Sequence, residues 1–126
     1  MCIYIYTRAT YFTRRVPIVM RHMTVHAEIS IVPIAKGHDT SMSREVAAAF
    51  DAIRKMQGIK TTTLTALGTQ IEAESVDDVM EAAKAAHQAV KSAGAQRVIS
   101  TVRIDERLDK EQTLQDKVES VQQKLR

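Results

Sequence analysis

The sequence has 126 residues, of which 44% are hydrophobic and 26% are charged, enough for one compact domain and too few for two. It contains no run of the roughly 18 to 20 apolar residues that span a bilayer, and its single cysteine excludes an internal disulfide framework. The net charge of +3 comes from residues 1–22, which hold four arginines and no acidic residue, so the remainder has no general attraction for nucleic acid. We therefore predict a cytoplasmic protein that binds neither nucleic acid nor membranes.

Residues 1–22 also differ from the rest of the chain in their side chains. They contain four of the five aromatic residues, and Met23 stands directly before the first strand pattern. We interpret this leader as lying outside the fold, as a start-site extension, a tag or a targeting segment; an extra strand at the start of the domain is the alternative. The predicted domain is residues 23–126.

Strand and helix signals alternate along this domain. Apolar and polar residues alternate over residues 24–33, which predicts a half-buried strand. A helical spacing of apolar residues follows, with Thr40 or Ser41 placed to cap this helix and Gly58 placed to end it.

A hairpin connects the two halves of the domain. Residues 60–74 are rich in β-branched side chains and are interrupted at Gly68, which predicts two short strands that turn back on each other. Ser75 is spaced to cap a second helix, and residues 97–105 alternate as a fourth strand. A last helix begins near Thr113 and carries an apolar stripe of Leu114, Val118, Val121 and Leu125.

The order βαββαβ with one more helix predicts an α+β fold, a ferredoxin-like sandwich with an additional C-terminal helix. Right-handed crossovers place the first two helices on one face of a four-stranded antiparallel sheet and leave the other face bare. With the first and third strands in the centre, the bare face presents a polar set: Glu28, Ser30, Gln70, Glu72 and Glu74, flanked by Thr101 and Arg103.

Three interpretations of this polar face remain open. It is a solvated surface, or a homo-oligomer interface in which Glu28 or Glu72 meets Arg103 of the partner subunit, or a ligand pocket built at that interface. The apolar stripe of the last helix has two interpretations, packing on the chain's own domain or docking on another subunit.

No motif in the sequence indicates catalysis. No two of the four histidines have a metal-ligand spacing on a predicted helix, and no Gly-rich phosphate loop or nucleophile elbow occurs. The central strands also lack the aromatic residues on which an RNA-recognition module stacks bases. We therefore predict a protein that is not an enzyme and uses no metal and no cofactor.

Three segments of the domain stand out by their order and spacing: AEISIVPIAKG, GTQIEAE and TVRIDERLDKEQTLQDKVESV. Together they resemble the YkoF-like thiamine-binding family, and the resemblance covers residues 23–126. It implies a ferredoxin-like subunit that assembles through its sheets into dimers and tetramers, and the expected form is a homotetramer built as a dimer of dimers. It also implies that the protein is not an enzyme and binds thiamine or its hydroxymethylpyrimidine moiety.

For such a ligand the resemblance implies a pocket with a carboxylate, hydroxyl groups and a stacking surface. Glu28 and Glu72 are expected to oppose the thiazolium charge or to accept from the amino group. Stacking is expected from aliphatic side chains, peptide planes or Arg103. The hydroxyl groups are expected from Ser30, Thr69 and Thr101, with Thr40, Ser41 and Ser43 covering the site.

An anion such as sulfate or phosphate is the competing ligand. Arg103, Arg107 and Lys110 are the residues expected to hold it. Under this alternative the protein is a structural or regulatory homo-oligomeric module.

Overall fold

The computed structural model describes residues 23–34, 37 and 39–125, so the interpretation of the leader lies outside the described residues. The order of its strands and helices confirms the predicted α+β, ferredoxin-like sandwich with an additional C-terminal helix. In chain order the elements are β1 (Val25–Ile34), α1 (Ser43–Arg54), β2 (Ile59–Leu64), β3 (Thr69–Ala73), α2 (Val76–Ser92), β4 (Arg97–Glu106) and α3 (Leu114–Gln122).

The four strands form one antiparallel sheet in the order β2-β3-β1-β4, which leaves β1 and β3 in the centre as predicted. Directly opposed residues of antiparallel strands share a face of the sheet. Glu28 stands between Gln70 on β3 and Arg103 on β4, so these three side chains lie together on one face. Ile29, the next residue, lies on the other face together with its partner Thr69.

Helices α1 and α2 cover the face that carries Ile29 and close the hydrophobic core. The buried residues of α2 are two valines and three alanines, and such small side chains allow close packing between the helices and the sheet. Complete burial of a Val or Ile side chain contributes about 1.5–3 kcal/mol to stability. The largest fully buried side chains are Val25, Ile29, Ile53, Ile71, Val79 and Val90.

The predicted starts of the second and the last helix are confirmed, and each has a side-chain cap. At the start of α2, Ser75 Oγ accepts from the Asp78 N–H at 3.1 Å, and the Ser75 hydroxyl donates to the Asp78 carboxylate at 2.8 Å. At the start of α3, Thr113 and Asp116 form a reciprocal capping box. Gly58, which ends the turn after α1, has φ +84°, and a Cβ there would collide with the Asp78 carboxylate, so the turn requires glycine.

The start of α1 differs from the prediction that Thr40 or Ser41 caps it. The N-cap is Met42, and no side chain caps it with a hydrogen bond. Upstream, the Asp39 carboxylate accepts from the Ser41 N–H at 2.9 Å, and Ser41 Oγ accepts from the Ser43 N–H at 3.4 Å. These local turn bonds engage the Ser41 hydroxyl before the helix begins, and the helix therefore starts one residue later than a Ser41 cap would place it.

Helix α3 lies apart from the hydrophobic core. It contains no buried residue, and Val118, Val121 and Leu125 of its apolar stripe are 49%, 58% and 72% exposed. The interpretation that this stripe packs on the chain's own domain is therefore wrong, and docking on another subunit stays a prediction. Neither α3 nor any other helix in the described part of the chain has the length and apolar character needed to cross a membrane.

Candidate functional site

The candidate site lies on the sheet face opposite α1 and α2, which we call the open face. The sequence predicted that this face is bare, but in the structure the start of α3 covers one end of it. The side chains that define the open face are His26, Glu28 and Ser30 on β1, Gln70 and Glu72 on β3, and Thr101, Arg103 and Asp105 on β4.

Hydrogen bonds to its backbone hold the start of α3 on the open face. The Leu114 N–H donates to Glu72 Oε2 at 2.6 Å. This carboxylate therefore accepts a hydrogen bond from one of the N–H groups at the helix start that have no partner within the helix. His26 Nε2 donates to the Gln112 carbonyl at 2.8 Å. Because a carbonyl only accepts, this bond requires the proton on Nε2 of His26.

Charged side chains add two further contacts between α3, its preceding loop and the sheet. Lys117 Nζ lies 2.5 Å from Asp105 Oδ2, and this hydrogen bond lowers the pKa of the Asp105 carboxyl. Burial opposes ionisation of Glu111, but hydrogen bonds from the Thr24 hydroxyl and N–H, each 2.8 Å long, lower the pKa of its carboxyl. Both carboxylates therefore remain ionised at neutral pH.

A cavity of about 330 Å³ lies between α3 and the open face. This volume is at the lower end of the range of about 300–1,000 Å³ found for small-molecule sites. The cavity is lined from the sheet by His26, Ala27, Glu28, Gln70, Arg103 and Asp105, and from α3 by Leu114 and Lys117.

The middle of the cavity combines an acceptor, a donor and a cation. Gln70 Nε2 donates to Glu28 Oε2 at 3.2 Å, which leaves the second carboxylate oxygen and the second amide hydrogen for other partners. Arg103 flanks Glu28 on the neighbouring strand, and its guanidinium makes no hydrogen bond or ion pair with any residue in the described ranges. These three side chains can therefore bind a polar ligand without breaking an existing ion pair.

Metal coordination is not indicated at this site. In the part of the chain that the structure describes, no group of three or more His, Cys, Asp or Glu side chains is placed to hold a metal ion. Around the cavity, His26 Nε2 is engaged by the Gln112 carbonyl, and Asp105 is engaged by Lys117.

The structure places five of the predicted ligand-binding residues on the open face. Glu28 and Arg103 line the cavity. Ser30 and Thr101 are direct cross-strand partners two residues further along the same face. Glu72 is only 9% exposed beneath the start of α3, where a backbone N–H already uses its carboxylate, so it supports the helix and does not line the cavity.

The other four predicted residues lie elsewhere in the protomer. Thr69 is 4% exposed on the helix-covered face, opposite Ile29. Strand β1 continues for six residues from Glu28 to its end at Ile34, a length of about 20 Å in an extended strand. Further along the chain, exposed before or at the start of α1 and not among the residues that line the cavity, are Thr40, Ser41 and Ser43.

The three residues predicted to hold an anion are not brought together within the protomer. Arg103 lines the cavity, whereas Arg107 forms an ion pair with Asp109 at 2.6 Å, which raises the pKa of its guanidinium. Lys110 lines a separate groove that also contains acidic side chains of α3. Of the three, Arg103 is therefore the one available to an anion in the cavity.

Sequence analysis did not assign six lining residues to the site, one of which is Ala27, a core residue of β1. Strand alternation places His26, Gln70 and Asp105 on the same face as Glu28, and this pattern is a signal by which they could have been found. The two residues from α3 had no such signal, because that helix reaches the sheet through a hydrogen bond between groups 42 residues apart in sequence. These two residues are Leu114 and Lys117.

The family of the chain follows from its sequence. The profile of a family described as thiamine-binding protein matches residues 27–122, a range that includes every cavity residue except His26. A UPF0045 protein of Methanothermobacter thermautotrophicus is 44% identical over 101 residues, which cover 80% of this chain and 99% of the relative. The chain belongs to the thiamine-binding protein family, which confirms the predicted resemblance.

Solved structures confirm the fold. The crystal structure of a hypothetical protein from Methanocaldococcus jannaschii has a TM-score of 0.69 and 36% identity, and the match covers 79% of this chain and 96% of that one. A Thermotoga maritima protein, provisionally placed in thiamine biosynthesis or salvage, has a TM-score of 0.63 over 78% of this chain and 98% of its own. Its identity is 21%, so this second likeness shows the fold alone.

Proposed function

We propose that the protein binds thiamine or its hydroxymethylpyrimidine moiety in the cavity under α3, and that it is a cytoplasmic binding protein with no catalytic activity. Membership of the thiamine-binding protein family supports a small-molecule ligand of this kind. The observation that carries the assignment to this cavity is the Glu28–Gln70 pair, whose hydrogen bond is 3.2 Å long.

The chemistry of the aminopyrimidine ring matches this pair. The ring presents an exocyclic amino group, which donates, beside a ring nitrogen, which accepts. The Glu28 carboxylate only accepts and the Gln70 amide nitrogen only donates, so the two side chains present the complementary pattern. Arg103 and Leu114, which also line the cavity, supply a planar guanidinium and an apolar surface for the ring.

We propose that the ligand-binding form is a homo-oligomer that assembles through its sheets as a dimer of dimers. Beyond the cavity, the open face continues to Ser30 and Thr101 and then to Ile99, which is 44% exposed. The exposed stripe of α3 is a further apolar surface. Burial of these side chains in an assembly removes apolar area from water, at about 25 cal/mol per Å².

A thermal-shift titration of the full chain tests the proposed ligand. Thiamine or hydroxymethylpyrimidine is expected to give a saturable rise in Tm, because a ligand specific for the native state stabilises it by about 2.7 kcal/mol at 100 times its Kd. Thiamine phosphates and sulfate are the comparison ligands. A flat response to both thiamine and the pyrimidine would contradict the proposal.

The second candidate function is an assembling module that binds sulfate or phosphate. The observation that favours it is the Arg103 guanidinium, which has no hydrogen-bond or ion-pair partner among the described residues. In the same titration, a response to sulfate alone would support this second function. Arg103→Gln is then expected to remove the response, since Lys117, the other cation that lines the cavity, is already paired with Asp105.

We propose that the leader contributes neither to the fold nor to the assembly. Deletion of residues 1–22 is expected to leave the Tm and the oligomeric state unchanged, because the family match begins at residue 27 and does not include them. Differential scanning calorimetry and sedimentation velocity on the full and shortened chains provide the measurement. A monomeric or insoluble shortened chain would show instead that the leader is an integral part of the domain.

A further inference from the structure

The carboxylates near the cavity differ in what they can bind. Glu72 is almost fully buried, and its carboxylate already accepts from the backbone of α3. Glu28 accepts a hydrogen bond from the Gln70 amide and, in the proposed function, a second one from the amino group of the ligand's pyrimidine ring. Asp105 is different, because its side chain is 62% exposed and its only strong partner among the described residues is the ammonium group of Lys117.

Lys117 occupies this position as part of α3 and not as part of the sheet. Its side chain is 31% exposed, lines the cavity and reaches Asp105 at 2.5 Å. An ion pair with this much exposure is weak, since water competes for both charges. The lysine side chain is also long and flexible, so it can leave the carboxylate without displacing the helix backbone.

The way in which α3 is attached to the sheet keeps the free-energy cost of this movement of the Lys117 side chain low. The helix has no buried residue, and the hydrogen bonds and the ion pair that join it to the sheet come from its first turn and the preceding loop. Departure of Lys117 from Asp105 therefore breaks one surface ion pair and disturbs no hydrophobic packing.

We propose that Asp105 is the subsite for a monovalent organic cation, and that Lys117 is an internal counterion which the ligand displaces. This inference rests on the proposed function and deepens it, because thiamine carries a permanently charged thiazolium and its pyrimidine moiety does not. In the absence of a cation, Lys117 neutralises Asp105; when the cation binds, it replaces the ammonium at the same carboxylate.

Two variants test this exchange by isothermal titration of the full chain. Lys117→Met removes the competitor and is expected to tighten thiamine binding by about threefold, whereas Asp105→Asn removes the subsite and is expected to weaken it by about fivefold. Binding of uncharged hydroxymethylpyrimidine is expected to stay within a factor of two in both variants. The matched controls are Lys124→Met and Asp77→Asn, which remove the same charges at exposed positions outside the cavity.

The outcomes separate this inference from the proposed function. Equal changes for thiamine and the pyrimidine, or no change in either variant, would overturn the exchange while leaving the ligand assignment intact. If neither compound binds the wild-type chain, the proposed function fails, and N-methylthiazolium becomes the probe. Amide NMR shifts at residues 114–118 that appear with this cation in the wild type and are lost in Asp105→Asn then support the exchange; their absence in the wild type overturns it.

Discussion

Replacement of Glu28 by glutamine is expected to weaken binding of thiamine and of hydroxymethylpyrimidine by roughly ten- to hundredfold. A hydrogen bond to a charged group contributes about 1.5–3 kcal/mol, and each 1.4 kcal/mol is a factor of about ten in Kd. Glu28 is the carboxylate that faces the aminopyrimidine in the proposed site, and Gln70 holds it in place at 3.2 Å. Isothermal titration of wild-type and Glu28→Gln protein measures the change.

Glu74→Gln is the matched control for this variant. Glu74 is exposed just after β3 and lies outside the cavity, so loss of its charge is expected to leave Kd unchanged within a factor of two. Glu28 is half-buried but forms no ion pair with any other residue that the structure describes, and the melting temperature of Glu28→Gln is therefore expected to stay close to that of the wild type. Unchanged affinity in Glu28→Gln would contradict the assignment of the ligand to this cavity.

Charge reversal at Glu28 separates the pocket from an interface. If Glu28 serves the ligand, Glu28→Lys loses binding and keeps its oligomeric state in sedimentation velocity. If Glu28 instead pairs with Arg103 of the partner subunit, the same substitution places two cations together and dissociates the assembly. Dissociation to monomer would therefore favour the interface interpretation of the open face.

The largest expected loss of stability follows from Ile71→Ala. Ile71 is completely buried on β3, between two residues of the open face and directly beneath α1 and α2. Truncation of a buried Ile to Ala costs about 2–5 kcal/mol, which corresponds to a fall in Tm of roughly 10 to 30 °C for a domain of this size. Differential scanning calorimetry measures the fall.

Leu67→Ala removes a similar aliphatic side chain at the tip of the hairpin, where Leu67 is 87% exposed. This control is expected to change stability by no more than about 0.5 kcal/mol. Side chains along a strand alternate between faces, so burial of Ile71 on the covered face places its neighbour Gln70 on the open face. The stability of Ile71→Ala therefore also tests the position of Gln70 in the site. A loss as small as that of Leu67→Ala would mean that Ile71 is not in the core and that Gln70 does not face the cavity.

The fold could be predicted because its signals are local. The alternation around Ile29 has a period of two, the apolar residues of α1 and α2 have helical spacing, and Ser75 and Thr113 cap the helices that they precede. Each of these patterns is complete within one helix or one strand. The exception, the start of α1, arose because Asp39 and Ser41 form turn bonds that compete with a cap.

The site could be predicted only as a face of the sheet. Alternation correctly placed Glu28, Ser30 and Arg103 on one face, since side-chain direction depends on strand periodicity alone. Thr69 was selected for its hydroxyl group and not by alternation, and the register places it opposite Ile29 in the helix-covered layer. Residue type alone therefore did not indicate on which face of the sheet this hydroxyl group lies.

The sequence by itself determined the order of the elements, the open and covered faces of the sheet, and membership of the thiamine-binding protein family. Only the tertiary structure decided that α3 returns over the open face, that Glu72 supports this helix, and that Lys117 reaches Asp105. The physical reason is the range of the contacts. Strand faces and caps are set by neighbours in the chain. The hydrogen bond from the Leu114 N–H to the Glu72 carboxylate joins residues 42 positions apart, and it produces no periodic pattern in the sequence of β3 or of α3.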